Sequence, residues 1–419
     1  MEKLRIQGPC RLAGTIRASG AKNAALPELA ASLLTDDGIT LKRLPRVRDI
    51  ETMGRLLEHL GIGRHRQGDD LVLAPTSTAP GLPDDAPWEL VKTMRASALV
   101  LGPLVARRGH ARVSLPGGCA IGVRPIDQHL KGLEALGATV ELQNGYVEAR
   151  CDQLVGAHFR FAMPTVGGTE NLMMAASLAQ GTTVLDNCAR EPEIVDLARL
   201  LRSMGAQLEG EGTERITIEG QDRLGAAEHE VIPDRIEAGT YLIGALMTGG
   251  DVTVEGSEAA DLAPLLEKLD EIGALVESGD RWIRVAHQGE ILPRGVITAP
   301  HPGFPTDLQA QYMALMTLAQ GVATISETVF ENRFQHVPEL VRMGADIRIE
   351  KDFAHVHGPA RLSGASVMAT DLRASASLVL AGLAAQGETV VHRIYHLDRG
   401  YEKMESKLQQ LGALVERFD

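Results

Sequence analysis

The sequence predicts an α/β protein of two domains, each made of three copies of a unit of about 70 residues. Two interleaved glycine series predict it, together with the helical spacing of apolar residues before each glycine and the β-type runs after it. The first series is Gly38, Gly109, Gly181, Gly250, Gly321 and Gly387, spaced 66 to 72 residues apart. An apolar helix precedes each: Ala24–Asp37, Arg95–Arg108, Glu170–Gln180, Ala238–Gly249, Leu308–Gln320 and Ala374–Gln386. The second series is Gly61, Gly137, Gly205, Gly273, Gly344 and Gly412, each closing an amphipathic helix. Leu197, Leu200, Leu201 and Met204 show the three-and-four spacing of such a helix. Glycine stops a helix readily because it takes the left-handed conformation without a Cβ clash. Runs such as Thr183-Val-Leu and Thr389-Val-Val then read as strands.

Six units fill 419 residues. The midpoint falls at Ile232-Pro233-Asp234, which reads as a linker. The strand Lys3–Gln7 stands before the first unit and could complete a sheet of the second domain, with a second crossing near Gly20-Ala21. The expected domains are therefore 22–232, and 1–21 plus 233–419.

Composition excludes several classes. Hydrophobic residues make up 44%, enough for a sizeable core. The net charge is 42 − 55 = −13, and aromatics are only 3%, which speaks against nucleic acid and anionic membranes as partners. The four cysteines, Cys10, Cys119, Cys151 and Cys188, show no CxxC spacing, and free thiols fit a reducing compartment. No signal-peptide core opens the chain, and no apolar run reaches membrane length; a cytoplasmic protein is expected.

Most first helices open on polar residues: Lys22-Asn23, Arg95, Gly167-Gly168-Thr169-Glu170, Asp307 as a cap, and Asp371-Leu372-Arg373. Helix N-termini favour anions, so two triads of such ends, facing each other across a cleft, would hold an anionic ligand between domains. The loop Leu115-Pro-Gly-Gly-Cys-Ala-Ile-Gly-Val-Arg-Pro125 combines glycine freedom with a thiol. Arg124, five residues from Cys119, could stabilise a thiolate, so the thiol could serve as nucleophile or proton donor. His355 and His357 share a strand face but lack a third metal ligand. No dinucleotide fingerprint, P-loop or Gly-x-Ser-x-Gly elbow is present.

Several stretches carry a family resemblance: Ser19-Gly-Ala-Lys-Asn-Ala-Ala25, Val91-Lys-Thr-Met-Arg-Ala-Ser97, Leu115-Pro-Gly-Gly-Cys119, Arg190-Glu-Pro-Glu-Ile-Val-Asp196, Pro305-Thr-Asp-Leu-Gln309, Glu327-Thr-Val-Phe-Glu-Asn-Arg333, Asp371-Leu-Arg-Ala-Ser375 and Asp398-Arg-Gly-Tyr401. Over its whole length the chain resembles the UDP-N-acetylglucosamine 1-carboxyvinyltransferases, enolpyruvyl transferases of the EPSP synthase-like superfamily that open peptidoglycan precursor synthesis. The resemblance implies an inside-out α/β barrel of two pseudo-threefold domains. It implies that Cys119 is the proton donor and the residue fosfomycin alkylates. Lys22, Asn23, Arg124, Arg373 and Arg399 would bind phosphoenolpyruvate, with Lys22 and Arg399 also counted as catalytic. Asn23, Arg95, Arg124, Pro125, Ile126, Asp127, Gln128, Thr165, Val166, Gly167, Asp307, Val329 and Arg333 would contact the sugar nucleotide, with Asp307 as base. Two positions depart from the family: Met163 and Arg48 stand where lysines are common.

The chemistry calls for these types. A small polyanion needs several Arg and Lys around it. Its C3 must gain a proton while the sugar hydroxyl attacks C2, and a thiol and a carboxylate can serve as acid and base. No metal or organic cofactor is needed. Three other readings remain at this point: the sister transferase acting on shikimate 3-phosphate, a cysteine acyltransferase with His129 as base, and a repeat scaffold that only binds a sugar nucleotide.

Overall fold

The computed structural model describes residues 2–77, 82–92, 94–115 and 126–419. Six open four-stranded sheets share one pattern, with one parallel pairing followed by two antiparallel ones. The six repeats read from the glycines are these six sheets with their helices. The chain divides into two compact units, residues 2–19 with 233–419 and the described residues between 20 and 232. Each unit has its own apolar core and three of the sheets.

The first helix of each repeat carries apolar and small residues on nearly every side and is buried accordingly. In one unit these helices are Lys22–Ala31, Leu101–Arg108 and Val166–Ala176. In the other they are Arg235–Met247, Gln309–Met316 and Leu372–Ala384. Short 3₁₀ turns lead into two of them, at Arg95–Val100 and Thr306–Leu308. The second helices, such as Arg48–His59 and Pro192–Ser203, bury one face. Helices thus fill each unit while the sheets lie outside them, the inside-out arrangement.

The N-terminus completes two sheets of its unit. Lys3–Gly8 lies between Gly387–His392 and Leu414–Phe418, antiparallel to both. Ala13–Arg17 runs parallel to Asp251–Glu255.

All six glycines of the second series have positive φ. In the first series the fourth repeat differs from the sequence reading. The left-handed residue there is Gly249 (φ 63°), and Gly250 serves close approach instead. A Cβ on Gly250 would stand 2.0 Å from the carbonyl oxygen of Leu12, which accepts the hydrogen bond of Asp251 N–H at 2.9 Å. Gly250→Ala must therefore push apart the Ala13–Arg17 edge. A loss of about 1–3 kcal/mol is expected, read as a lower urea midpoint; an unchanged midpoint would show that this backbone yields without cost.

Candidate functional site

In the unit between residues 20 and 232, Lys22 opens the helix Lys22–Ala31. Its N-cap is Ala21, which offers no side-chain acceptor. The ammonium of Lys22 is nearly buried and lies 3.1 Å from Asp49 Oδ2. Asn23 follows it, half-buried, and Arg95 opens the 3₁₀ turn Arg95–Val100. Asp127 starts the helix Asp127–Ala135 and pairs with Lys131 at 3.1 Å, next to half-buried Ile126.

Gln128 joins two of the predicted segments. Its buried amide accepts from Ala162 N–H at 2.6 Å and donates to the Met163 carbonyl at 3.3 Å. This holds the backbone just before Thr165, whose hydroxyl caps the helix Val166–Ala176 by accepting from Gly168 N–H at 3.3 Å. Val166 and Gly167 form that helix start, half-buried. Met163 is 62% exposed, so this position, where the resemblance leads one to expect lysine, faces outward from its unit. Arg48 opens the helix Arg48–His59, immediately before the Asp49 that holds Lys22.

His129 is buried, and its Nδ1 faces the Asn171 amide nitrogen at 2.9 Å. That amide also donates to Ala98 O at 2.9 Å, while the Asn171 side-chain oxygen accepts from Gly102 N–H at 2.7 Å. Asn171 therefore ties three helices together. Burial pushes the His129 imidazole down to about 4, against a small opposing pull from Asp127. The ring is neutral at pH 7 and accepts through Nδ1.

In the other unit, Asp307 lies inside the 3₁₀ turn Thr306–Leu308 rather than acting as a helix cap. Its Oδ1 accepts from Arg333 at 2.6 Å and its Oδ2 from Arg373 at 2.8 Å. Both guanidiniums are almost fully buried. Burial works against the charge of Arg373, but Asp307 and its other neighbours hold it firmly protonated. Tyr401 Oη lies 3.4 Å from Arg373, 2.9 Å from Thr240 Oγ1 and 3.1 Å from Gln311 Nε2. Gln311 Nε2 also donates to the Asp307 carbonyl at 3.1 Å. Asp371 caps the helix that carries Arg373, accepting from Arg373 and Ala374 N–H at 2.9 and 3.0 Å. Buried Glu327 accepts from Thr306 Oγ1 at 2.8 Å and from Val329 N–H at 2.8 Å, joining the Asp307 turn to the segment of Val329 and Arg333. Arg399 ends the 3₁₀ turn Ile394–Arg399, half-buried. Cys119, Arg124 and Pro125 lie outside the described residues.

The structure thus brings Asp307, Arg333 and Arg373 together in one unit, and Gln128 with the Thr165 turn in the other. The family described as EPSP synthase (3-phosphoshikimate 1-carboxyvinyltransferase) matches residues 6–408. UDP-N-acetylglucosamine 1-carboxyvinyltransferase of a Psychrobacter species is 56% identical over all of this chain and 97% of its own. The protein of the same name from Nitratidesulfovibrio vulgaris is 55% identical over the full length of both. The chain is a member of the EPSP synthase family, in its UDP-N-acetylglucosamine 1-carboxyvinyltransferase branch. The enolpyruvyl transferase NikO from Streptomyces tendae superposes with a TM-score of 0.90 at 26% identity, covering 99% of this chain and 98% of its own. An EPSP synthase of Acinetobacter baumannii, 17% identical, shares the fold at a TM-score of 0.77 over the full length of both chains.

In this carboxyvinyltransferase, sequence reasoning passed over Asn171, Glu327, Gln311 and Tyr401. Glu327 and Tyr401 stand in stretches that carry the resemblance, Asn171 and Gln311 do not, and their partners lie up to 161 residues away, as with Thr240 and Tyr401. The one available signal was a polar residue at a position that a buried helix would fill with an apolar one.

His129 makes a pH prediction. Its imidazole titrates near 4 in the folded chain and near 6.5 when unfolded. The stabilisation is complete above about 6.5 and is lost as pH falls towards 4, because only the unfolded chain takes the proton. The amount is on the order of 3 kcal/mol. His129→Gln should flatten the stability curve between these pH values in urea titrations; an unaltered slope would refute the assignment.

Proposed function

We propose that the chain transfers the enolpyruvyl group of phosphoenolpyruvate to the 3-hydroxyl of UDP-N-acetylglucosamine and releases phosphate, as the first committed step of peptidoglycan precursor synthesis. The observation that carries this reading is 55–56% identity, along the full chain, to proteins of that name. The residues that the chemistry needs are all present in the sequence.

In this reading Lys22, Asn23, Arg124, Arg373 and Arg399 neutralise the phosphate and carboxylate of the donor. Ile126, Asp127 and Gln128, with Arg124 and Pro125, take the uridine side. Thr165, Val166 and Gly167 take the diphosphate, and Asn23, Arg95, Val329 and Arg333 the sugar. The sugar O3 attacks C2 of the donor while Cys119 gives its proton to C3. Asp307 takes the hydroxyl proton. Both of its oxygens are engaged by guanidiniums at 2.6 and 2.8 Å, so one must be released for this step. The anionic donor offers Arg373 another partner. A C3 proton then returns to the Cys119 thiolate, the double bond re-forms, and the C2–O bond to phosphate breaks, with phosphate as the leaving group. Residues 22–232 and 1–21 plus 233–419 act as the two domains, and no metal or organic cofactor takes part.

The partners are small molecules, with no role for nucleic acid or membrane, and the compartment is the cytoplasm. No helix among the described residues is long and apolar enough to cross a membrane.

Phosphate release from phosphoenolpyruvate, measured with and without UDP-N-acetylglucosamine, tests the reading. Release should require the sugar nucleotide, should fall roughly a hundredfold or more in Cys119→Ser, and should stop on treatment with fosfomycin. Release without the sugar nucleotide would mean a different acceptor.

A further inference from the structure

One buried cluster lies outside the residues given roles above. Glu28, on the same helix as Lys22, has a completely buried side chain. Its Oε1 lies 3.3 Å from His229 Nε2, too poorly aligned for a hydrogen bond. The same nitrogen is 3.0 Å from Asp196 Oδ1. One donor-acceptor atom from each of the three side chains lies within 4.8 Å of the others.

The cluster connects to the start of the Lys22 helix. Asp196 Oδ2 accepts from Ile232 N–H at 3.0 Å. The Ile232 carbonyl accepts from Ala21 N–H at 2.7 Å. Ala21 is the N-cap, and no side chain fixes it. The helix start is thus held at Ala21 through Ile232 and Asp196, and Glu28 on the same helix packs its buried carboxyl 3.3 Å from the His229 that holds Asp196. Lys22 extends from the end fixed in this way.

We propose that Glu28, Asp196 and His229 are positioning residues for Lys22, a buried triad that shares protons and sets the affinity for the anionic donor by fixing the helix start. This rests on the reading that Lys22 binds phosphoenolpyruvate. Two carboxylates and one imidazole cannot all be ionised in a buried place without an uncompensated charge. Burial, above all, raises Glu28 well beyond the carboxylate range. Burial opposes the His229 charge, but the hydrogen bond to Asp196 and the charge of the two neighbouring carboxyl groups bring it up to about 10. Asp196 is held low despite its burial, by the hydrogen bonds it accepts from His229 and from Ile232 N–H. The neutral arrangement is a protonated Glu28, an imidazolium at His229 and a carboxylate at Asp196 that accepts from His229 at 3.0 Å.

Glu28→Gln keeps a neutral donor of the same size, whereas Glu28→Ala removes it. Steady-state kinetics should show the KM for phosphoenolpyruvate raised about tenfold in Glu28→Ala. Its kcat and the KM for UDP-N-acetylglucosamine should stay within about twofold, and Glu28→Gln should resemble wild type. Amide exchange at residues 21–23 should speed up about tenfold in Glu28→Ala and remain unchanged in Glu28→Gln. If Glu28→Ala does not fold, His229→Gln, which keeps a donor to Asp196 but no charge, should raise the same KM several-fold. An unaltered donor KM in these variants, or equal damage in Glu28→Gln and Glu28→Ala, overturns the proposal. So does a loss of thermal stability of wild type in EDTA, which would mean that the triad holds a divalent cation instead. Should wild type release no phosphate with these substrates, the substrate reading fails on its own. The exchange rates at residues 21–23 then decide the triad, with unchanged protection in Glu28→Ala counting against it.

Discussion

Burial of a helix on all sides is the constraint on which this structure rests. Five of the six first helices are buried on nearly every side, and only Leu101–Arg108 ends on an exposed basic turn. Their flanks can hold only apolar residues, or polar ones that satisfy each other. The charged groups given ligand roles in the proposed reaction stand at the helix starts. Lys22, Thr165, Asp307 and Arg373 all sit within the opening turn of a first helix or in the turn leading into it. The helix dipoles at those starts add a local field that favours anions in an otherwise acidic chain.

Placing charges at the edge of an apolar core raises the cost of leaving any of them unpaired. The chain answers with small closed groups. Asp307 pairs with both Arg333 and Arg373, and Tyr401, Gln311 and Thr240 hold the geometry behind them. Lys22 is paired with Asp49. Such pairs keep the groups in place, and they also define what a substrate must displace. In the proposed reaction an anion that takes over a guanidinium would free a carboxylate oxygen in the same motion, linking donor binding to the readiness of Asp307.

Much of the fold was legible in the sequence because the repeat is written in two ways at once, in glycine spacing and in apolar periodicity. The legible part ends where backbone contact, not local conformation, selects the residue. Gly250 looks like its counterparts in the series, yet it is Gly249 that turns left-handed, while Gly250 makes room for Leu12, 238 positions earlier. Helix starts were less legible: the first helix begins at Lys22 rather than Ala24. Asp307 reads as a cap from its neighbours Pro305 and Thr306, but its carboxylate turns to Arg333 and Arg373 because both guanidiniums are buried. Of the residues assigned by resemblance, Asp307, Arg333 and Arg373 meet in space although no local pattern links them. The Glu28 triad was not legible at all, since its members stand on two helices and a strand far apart in the chain.

The central claim is that Asp307, positioned between two guanidiniums, is the base of the transfer. The most direct test is the rate of phosphate release by Asp307→Asn at saturating phosphoenolpyruvate and UDP-N-acetylglucosamine, on protein shown by circular dichroism to be folded. The account predicts a fall of at least about a hundredfold with sugar-nucleotide binding retained. Turnover close to wild type would contradict it and leave Asp307 as a partner for Arg333 and Arg373 alone.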